Sequence, residues 1–167
     1  VHLITRKEIE QVWKEMVGYD EQKAKELDER VSNSQPHVLP FALAVLDEFP
    51  EATQEWAVNL SYFVTEVFMR ASDNKLSPVS FEEFLDSYES VGEQLFQLAE
   101  EAQDEGISIS PDKLTAQPHL LTAVVEILDA GESEGAISDS DVSALLCLML
   151  AIINAYNNAW ARLSMLP

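Results

Sequence analysis

The chain has 167 residues, 47% of them apolar, and carries 30 Asp or Glu against 10 Lys or Arg, for a net charge of −20. That length suits one domain with one core, whereas so acidic a surface excludes nucleic acid and anionic lipid as favoured partners, because both are held through Lys and Arg. The lone cysteine, Cys147, excludes an intrachain disulfide and points to a reducing compartment, the cytoplasm.

The first helix is expected over 5–31. Thr5-Arg6-Lys7-Glu8 spells a capping box, in which the Thr5 hydroxyl accepts from the Glu8 N–H while the Glu8 carboxylate reaches back. Ile9, Val12, Trp13, Met16, Ala24, Leu27 and Val31 follow a three/four spacing and form one apolar stripe, with Gly18 weakening its middle. A second helix is expected over 36–49, with Pro36 or Pro40 in its first turn and Pro50 as its stop. The third should run from Pro50 or Glu51 to Ala71. Trp56, Leu60, Phe63, Val64, Val67, Phe68 and Ala71 give it one wide apolar face, and Val58, Tyr62 and Met69 a second stripe. A helix apolar on two sides is central or lies under a partner, so the second stripe is also a candidate homodimer contact.

Residues 72–78 read as a linker. The fourth helix is expected over 80–105, opened by a second capping box at Ser80-Phe81-Glu82-Glu83. Phe84, Tyr88, Val91, Leu95, Leu98, Ala99 and Ala102 belong to its core side, and Glu82, Asp86, Glu89, Glu93, Glu100 and Asp104 crowd the remainder. Like charges four apart each oppose the helix slightly, so packing must hold it. A long connection over 106–117 leads to a fifth helix over 118–130 and an acidic loop over 131–135. The sixth helix, from Ser138 or Ser140 to Leu163, is apolar nearly all round from Val142 to Ile153. That run is shorter than the roughly twenty residues of a membrane span, which predicts a buried core helix. No secretory signal is expected at the start, where residues 1–10 lack an apolar run.

Two segments resemble each other. Residues 35–47 and 117–129 share Gln35/Gln117, Pro36/Pro118, His37/His119, Leu39/Leu121, Leu46/Leu128 and Asp47/Asp129. The capping boxes at Thr5 and Ser80 precede them, with Ile9/Phe84, Trp13/Tyr88 and Met16/Val91 matching at a common offset. The fold expected is therefore all-α: a single domain over 1–167, six helices in two pseudo-equivalent three-helix halves (about 1–75 and 76–167), with the third and sixth helices central.

The chemistry-bearing motifs are few. Of three histidines, none lies in a Glu-x-x-His or His-Glu-x-x-His pattern. His37 and His119 could share a site if the halves meet, but the first turn of a helix disfavours a protonated imidazole. Phosphate-binding glycine loops are absent from the sequence. Gly131-Glu132-Ser133-Glu134-Gly135 has the spelling of a nucleophile elbow without the strand that makes one. Residues 130–141 can be written as a degenerate calcium loop with Gly135 at position six, although Ala130 stands at position one and Asp141 at position twelve.

Charge is the strongest remaining signal. Residues 82–141 hold sixteen acidic residues and one base, Lys113, for a net of −15, so three-quarters of the chain's charge lies there. The expectation is an acidic interaction domain without catalysis, cofactor or metal. Its partner-binding residues would be Glu82, Asp86, Glu89, Glu93, Glu100 and Asp104, and its partner a basic protein, in an inhibitor, immunity-type or adaptor role. The alternative is an EF-hand-type cation binder using 130–141.

Overall fold

The computed structural model describes residues 2–105 and 110–165, with 102–105 described by their backbone alone. Among these residues every regular element is helical: α1 (Arg6–Val17), α2 (Glu21–Ser34), α3 (Val38–Val45), α4 (Glu51–Ala71), α5 (Phe81–Glu105), α6 (Pro118–Ser133) and α7 (Asp139–Leu163), with a 3₁₀ turn at Pro111–Lys113.

Seven helices stand where six are expected, because the first breaks in two. The capping box opens α1 as predicted, with Glu8 N–H donating to Thr5 Oγ1 at 3.2 Å and Thr5 N–H to Glu8 Oε2 at 2.8 Å. The helix then ends at Val17, and Asp20 starts another by accepting from the Lys23 N–H at 2.8 Å. A side-chain cap of this kind stabilises a new helix start by about 1 kcal/mol. The apolar stripe stays in phase across the break, so periodicity alone does not reveal it.

α3 is shorter than the predicted 36–49. Its loose C-terminal carbonyls, Leu46 and Phe49, are collected by the Gln54 amide at 3.0 and 3.3 Å, which satisfies groups a helix end otherwise leaves orphaned. α6 runs to Ser133, into the predicted acidic loop. Gly131 lies against the Trp56 indole of α4, where a Cβ would come within 2.5 Å of the ring. That close approach draws the last turn of α6 onto α4. The chain reverses only at Gly135, whose φ of +76° suits glycine.

α4 and α7 carry the largest sets of buried residues and run parallel. Thr53 Oγ1 donates to Asp141 Oδ2 at 2.8 Å near both N-termini. Further along, the Thr65 and Tyr156 hydroxyls are 2.7 Å apart, and the Phe68 and Tyr156 rings lie 5.4 Å apart. α1, α2 and α3 pack on α4, while α5 and α6 pack on α7. α1 also touches α6, and α3 also touches α5. Phe41, Phe63, Phe68, Phe84 and Tyr156 are fully buried, each worth about 1.5–3 kcal/mol relative to exposure.

By length and composition α7 could cross a membrane, but most of its apolar window is buried inside the chain. Of the second stripe of α4, Tyr62 and Met69 lie beside α2, whereas Val58 borders a recess with Leu43 of α3: the Tyr62 hydroxyl donates to Asp28, and nearby buried Glu66 accepts from Arg30 at 3.3 Å and from Arg70 at 3.1 Å. Arg70 also pairs with Glu15 of α1. A buried carboxylate demands such partners, and here they tie α1, α2 and α4 together.

Candidate functional site

The predicted acidic residues of α5 share one face. Glu82, Asp86, Glu89, Glu93 and Glu100 are all exposed, and none has an ion-pair or side-chain hydrogen-bond partner among the described residues. The Asp104 side chain lies outside the described residues. Their neighbour Glu83 behaves differently. It accepts from Arg162 at 2.7 Å, and this hydrogen bond from the guanidinium is the main reason its carboxyl sits below the usual carboxylate range.

Beside the carboxylate row runs a second row that sequence reasoning missed. Phe81 and Leu85 are 38% and 39% exposed, Gly92 is open, and Phe96 is 66% exposed. At 100° per residue, Phe81, Leu85, Gly92 and Phe96 fall within a narrow strip immediately alongside Glu82, Asp86, Glu89 and Glu93. α5 thus presents an apolar strip edged by unpaired carboxylates. The signal was legible as Phe81, Leu85 and Phe96, none of which belongs to the core stripe.

The Gln-Pro-His motifs act through glutamine, not histidine. Gln35 is 1% exposed; its Oε1 accepts from the Val79 N–H at 2.9 Å and its Nε2 donates to the Ser77 carbonyl at 3.0 Å. Gln117 is fully buried; its Oε1 accepts from the Ile4 N–H at 2.9 Å, and its Nε2 donates to the His2 carbonyl at 2.8 Å and to Asn157 Oδ1 at 2.9 Å. Each glutamine therefore pairs the extended backbone just before a capped helix, α5 for Gln35 and α1 for Gln117. His37 and His119 belong to no cluster that could hold a metal among the described residues. His37 is the exposed residue before α3.

In the 130–141 segment, Ala130 to Ser133 remain helical. The residues assigned to the first four calcium-loop positions therefore spread around a helix and do not wrap a centre. Asp141 is engaged by Thr53. Glu132 is pushed above the usual carboxylate range by burial and by Asp139 alongside. No set of three His, Cys, Asp or Glu converges there or elsewhere among the described residues. Cys147 is half-buried, and burial raises its thiol pKa, which keeps it protonated and a poor nucleophile at neutral pH.

Two of the recesses among the described residues lie between core helices. One, of about 480 Å³, lies between α5 and α7 and is edged by Ser87, Ser90, Asn154, Asn157 and Asn158. The other, of about 450 Å³, lies among α1, α4 and α6, with Trp13, Trp56, Phe63 and Ile127 in its walls and Glu10, Glu126 and Glu134 at its edge. Trp13 meets Phe63 edge-on at 5.2 Å.

Compared with protein-family models, with characterised proteins and with solved structures, the chain matches none.

Proposed function

We propose that this chain is a non-catalytic protein–protein interaction domain of a reducing compartment, and that α5 docks a basic amphipathic segment of a protein partner. The observation that carries this reading is the pairing of strips on α5: exposed Phe81, Leu85 and Phe96 beside exposed Glu82, Asp86, Glu89 and Glu93, which have no ion-pair partner among the described residues. An acidic face alone is adequately explained by solvation. Phe96, 66% exposed beside that face, adds apolar surface whose full burial by a partner would be worth about 1.5–3 kcal/mol. A partner helix with an apolar stripe flanked by Lys and Arg would bury the one strip and neutralise the other. An inhibitor, immunity-type or adaptor role fits that arrangement.

We further propose that the domain comprises two pseudo-equivalent halves, α1–α4 and α5–α7. Support comes from Gln35 and Gln117, each of which grips the segment leading into the first helix of the opposite half. The parallel pairing of α4 with α7 places Thr53 against Asp141 and Phe68 against Tyr156, two pairs with the same sequence offset.

The test of the docking role is affinity capture from native lysate at low salt, identification of the retained protein, and calorimetry on the purified pair. A basic partner whose affinity falls about tenfold or more with Glu82→Gln, Asp86→Asn, Glu89→Gln and Glu93→Gln combined, and again with Phe96→Ser, is expected. A partner indifferent to both sets of changes would refute it.

A further inference from the structure

The two Gln-Pro-His segments differ at one position that shapes the molecule. Six residues after Gln35 stands Phe41; six residues after Gln117 stands Ala123. Phe41 is fully buried, stacks on Phe84 at 5.3 Å and 16°, and meets Phe81 and Tyr88 edge-on at 5.6 and 6.2 Å. At the offset that relates the two capping boxes, Phe84 and Tyr88 correspond to Ile9 and Trp13. Those two residues, with Ala123, line the 450 Å³ cleft among α1, α4 and α6. The ring that closes the α3 side is therefore missing on the α6 side, and the missing ring leaves an aromatic-walled opening.

We propose that this cleft is a binding site for an aromatic side chain flanked by Lys or Arg on a protein partner. Three features of the cleft specify that occupant. Its walls, Trp13, Trp56 and Phe63 among them, are apolar and aromatic, the surroundings an aromatic ring packs against edge-on or offset. Its shape is set by close packing: Trp56 is held in place on Gly131, where no side chain fits. Its edge carries Glu10, Glu126 and Glu134. Arg6 reaches Glu126 at 3.3 Å and Glu10 at 4.0 Å, so one guanidinium serves two of the three carboxylates and an excess of negative charge remains at the edge for a basic neighbour of the inserted ring. The cleft is distinct from the α5 strip. It takes from the docking proposal only the basic character of the partner, and it stands or falls on its own residues.

The test uses the full chain and a defined probe, the capped tripeptide Lys-Phe-Lys, with Lys-Ala-Lys and Glu-Phe-Glu as controls, followed by NMR. The indole N–H signals of Trp13 and Trp56 should shift saturably with Lys-Phe-Lys, with that of Trp160 staying put. Both controls should bind about tenfold more weakly or worse, the loss expected from an unburied ring or reversed charge. Ala123→Phe, which supplies from within the ring that Phe41 supplies on the other side, should abolish the shifts. Ala123→Leu, a smaller filling that strains the site less, should weaken them and serves if the Phe variant misfolds. Equal response to Lys-Phe-Lys and Lys-Ala-Lys, or undiminished binding in both Ala123 variants, would overturn the proposal. Binding lost in the α5 carboxylate variant but intact in the Ala123 variants would place the peptide on α5, sparing the docking reading and ending this one.

Discussion

On the α3 side of the molecule the space beneath Gln-Pro-His is filled by Phe41, packed against Phe81, Phe84 and Tyr88. On the α6 side the corresponding space holds Ala123 and opens to solvent between Trp13 and Trp56. The two motifs grip backbone in the same way through Gln35 and Gln117, yet one side is sealed and the other is not. The contrast teaches that clamping and filling are separate tasks in this fold. The buried amides hold the segments that lead into α1 and α5, while the space beneath is filled by Phe41 on one side and left open beside Ala123 on the other.

The largest test of that contrast is Phe41→Ala. Removing a fully buried ring that packs against three others should cost about 3–5 kcal/mol in urea unfolding, since the loss includes both transfer and cavity terms. A loss below about 1 kcal/mol would mean that the filled side does not depend on Phe41, and the comparison would fail. Next come Gln35→Leu and Gln117→Leu. Each leaves a buried N–H and a carbonyl without their partner, at about 1–3 kcal/mol. The Gln117 change should be the costlier, because it also strands Asn157. Amide exchange should accelerate at Val79 in the first variant and at Ile4 in the second. A cost confined to one of the two would show that the clamps are not equivalent.

The smallest effect concerns pH. Arg162 holds the Glu83 carboxyl below its ordinary range, so the folded protein binds that proton more weakly than the unfolded chain. The stabilisation is complete above the ordinary carboxylate pKa and is lost as pH falls through the lower, folded value. Glu83→Gln should flatten that part of the acid limb of a stability–pH curve, and at neutral pH should cost about 0.2–1 kcal/mol, typical of an exposed pair. An unchanged acid limb would show that the pair does not couple to folding. Glu132 has the opposite sign, since its raised value favours the folded state as pH falls, and Glu132→Gln should not reproduce the Glu83 effect.

Legibility followed the range of the interaction. The capping boxes at Thr5 and Ser80, the start of α4 at Glu51, and the apolar faces of α4 and α7 are readable because a helix start or stripe is decided within a few residues, whereas α3 ends at Val45, before the Pro50 stop. The break at Gly18–Asp20 was not read, although Asp20 is a recognisable cap, because the apolar stripe continues across it. The acidic row on α5 was read, but its apolar neighbour was not: Phe81, Leu85 and Phe96 become conspicuous only once the packing shows that they stay partly exposed. The histidines drew attention that belonged to the glutamines of the same motif. The Gln35 and Gln117 side chains find their partners 40 to 115 residues away, and no local pattern carries that information.

By itself the sequence determined that this chain is helical, where α4, α5 and α7 start and stop, and that its negative charge gathers in residues 82–141. These are consequences of backbone capping, side-chain periodicity and composition, which act locally. Only the tertiary structure decided which polar groups are buried and paired, which apolar side chains stay uncovered, and that Ala123 leaves a cleft where Phe41 leaves none. Burial is a property of several helices converging on one space, and a residue's neighbours in that space are not its neighbours in the chain.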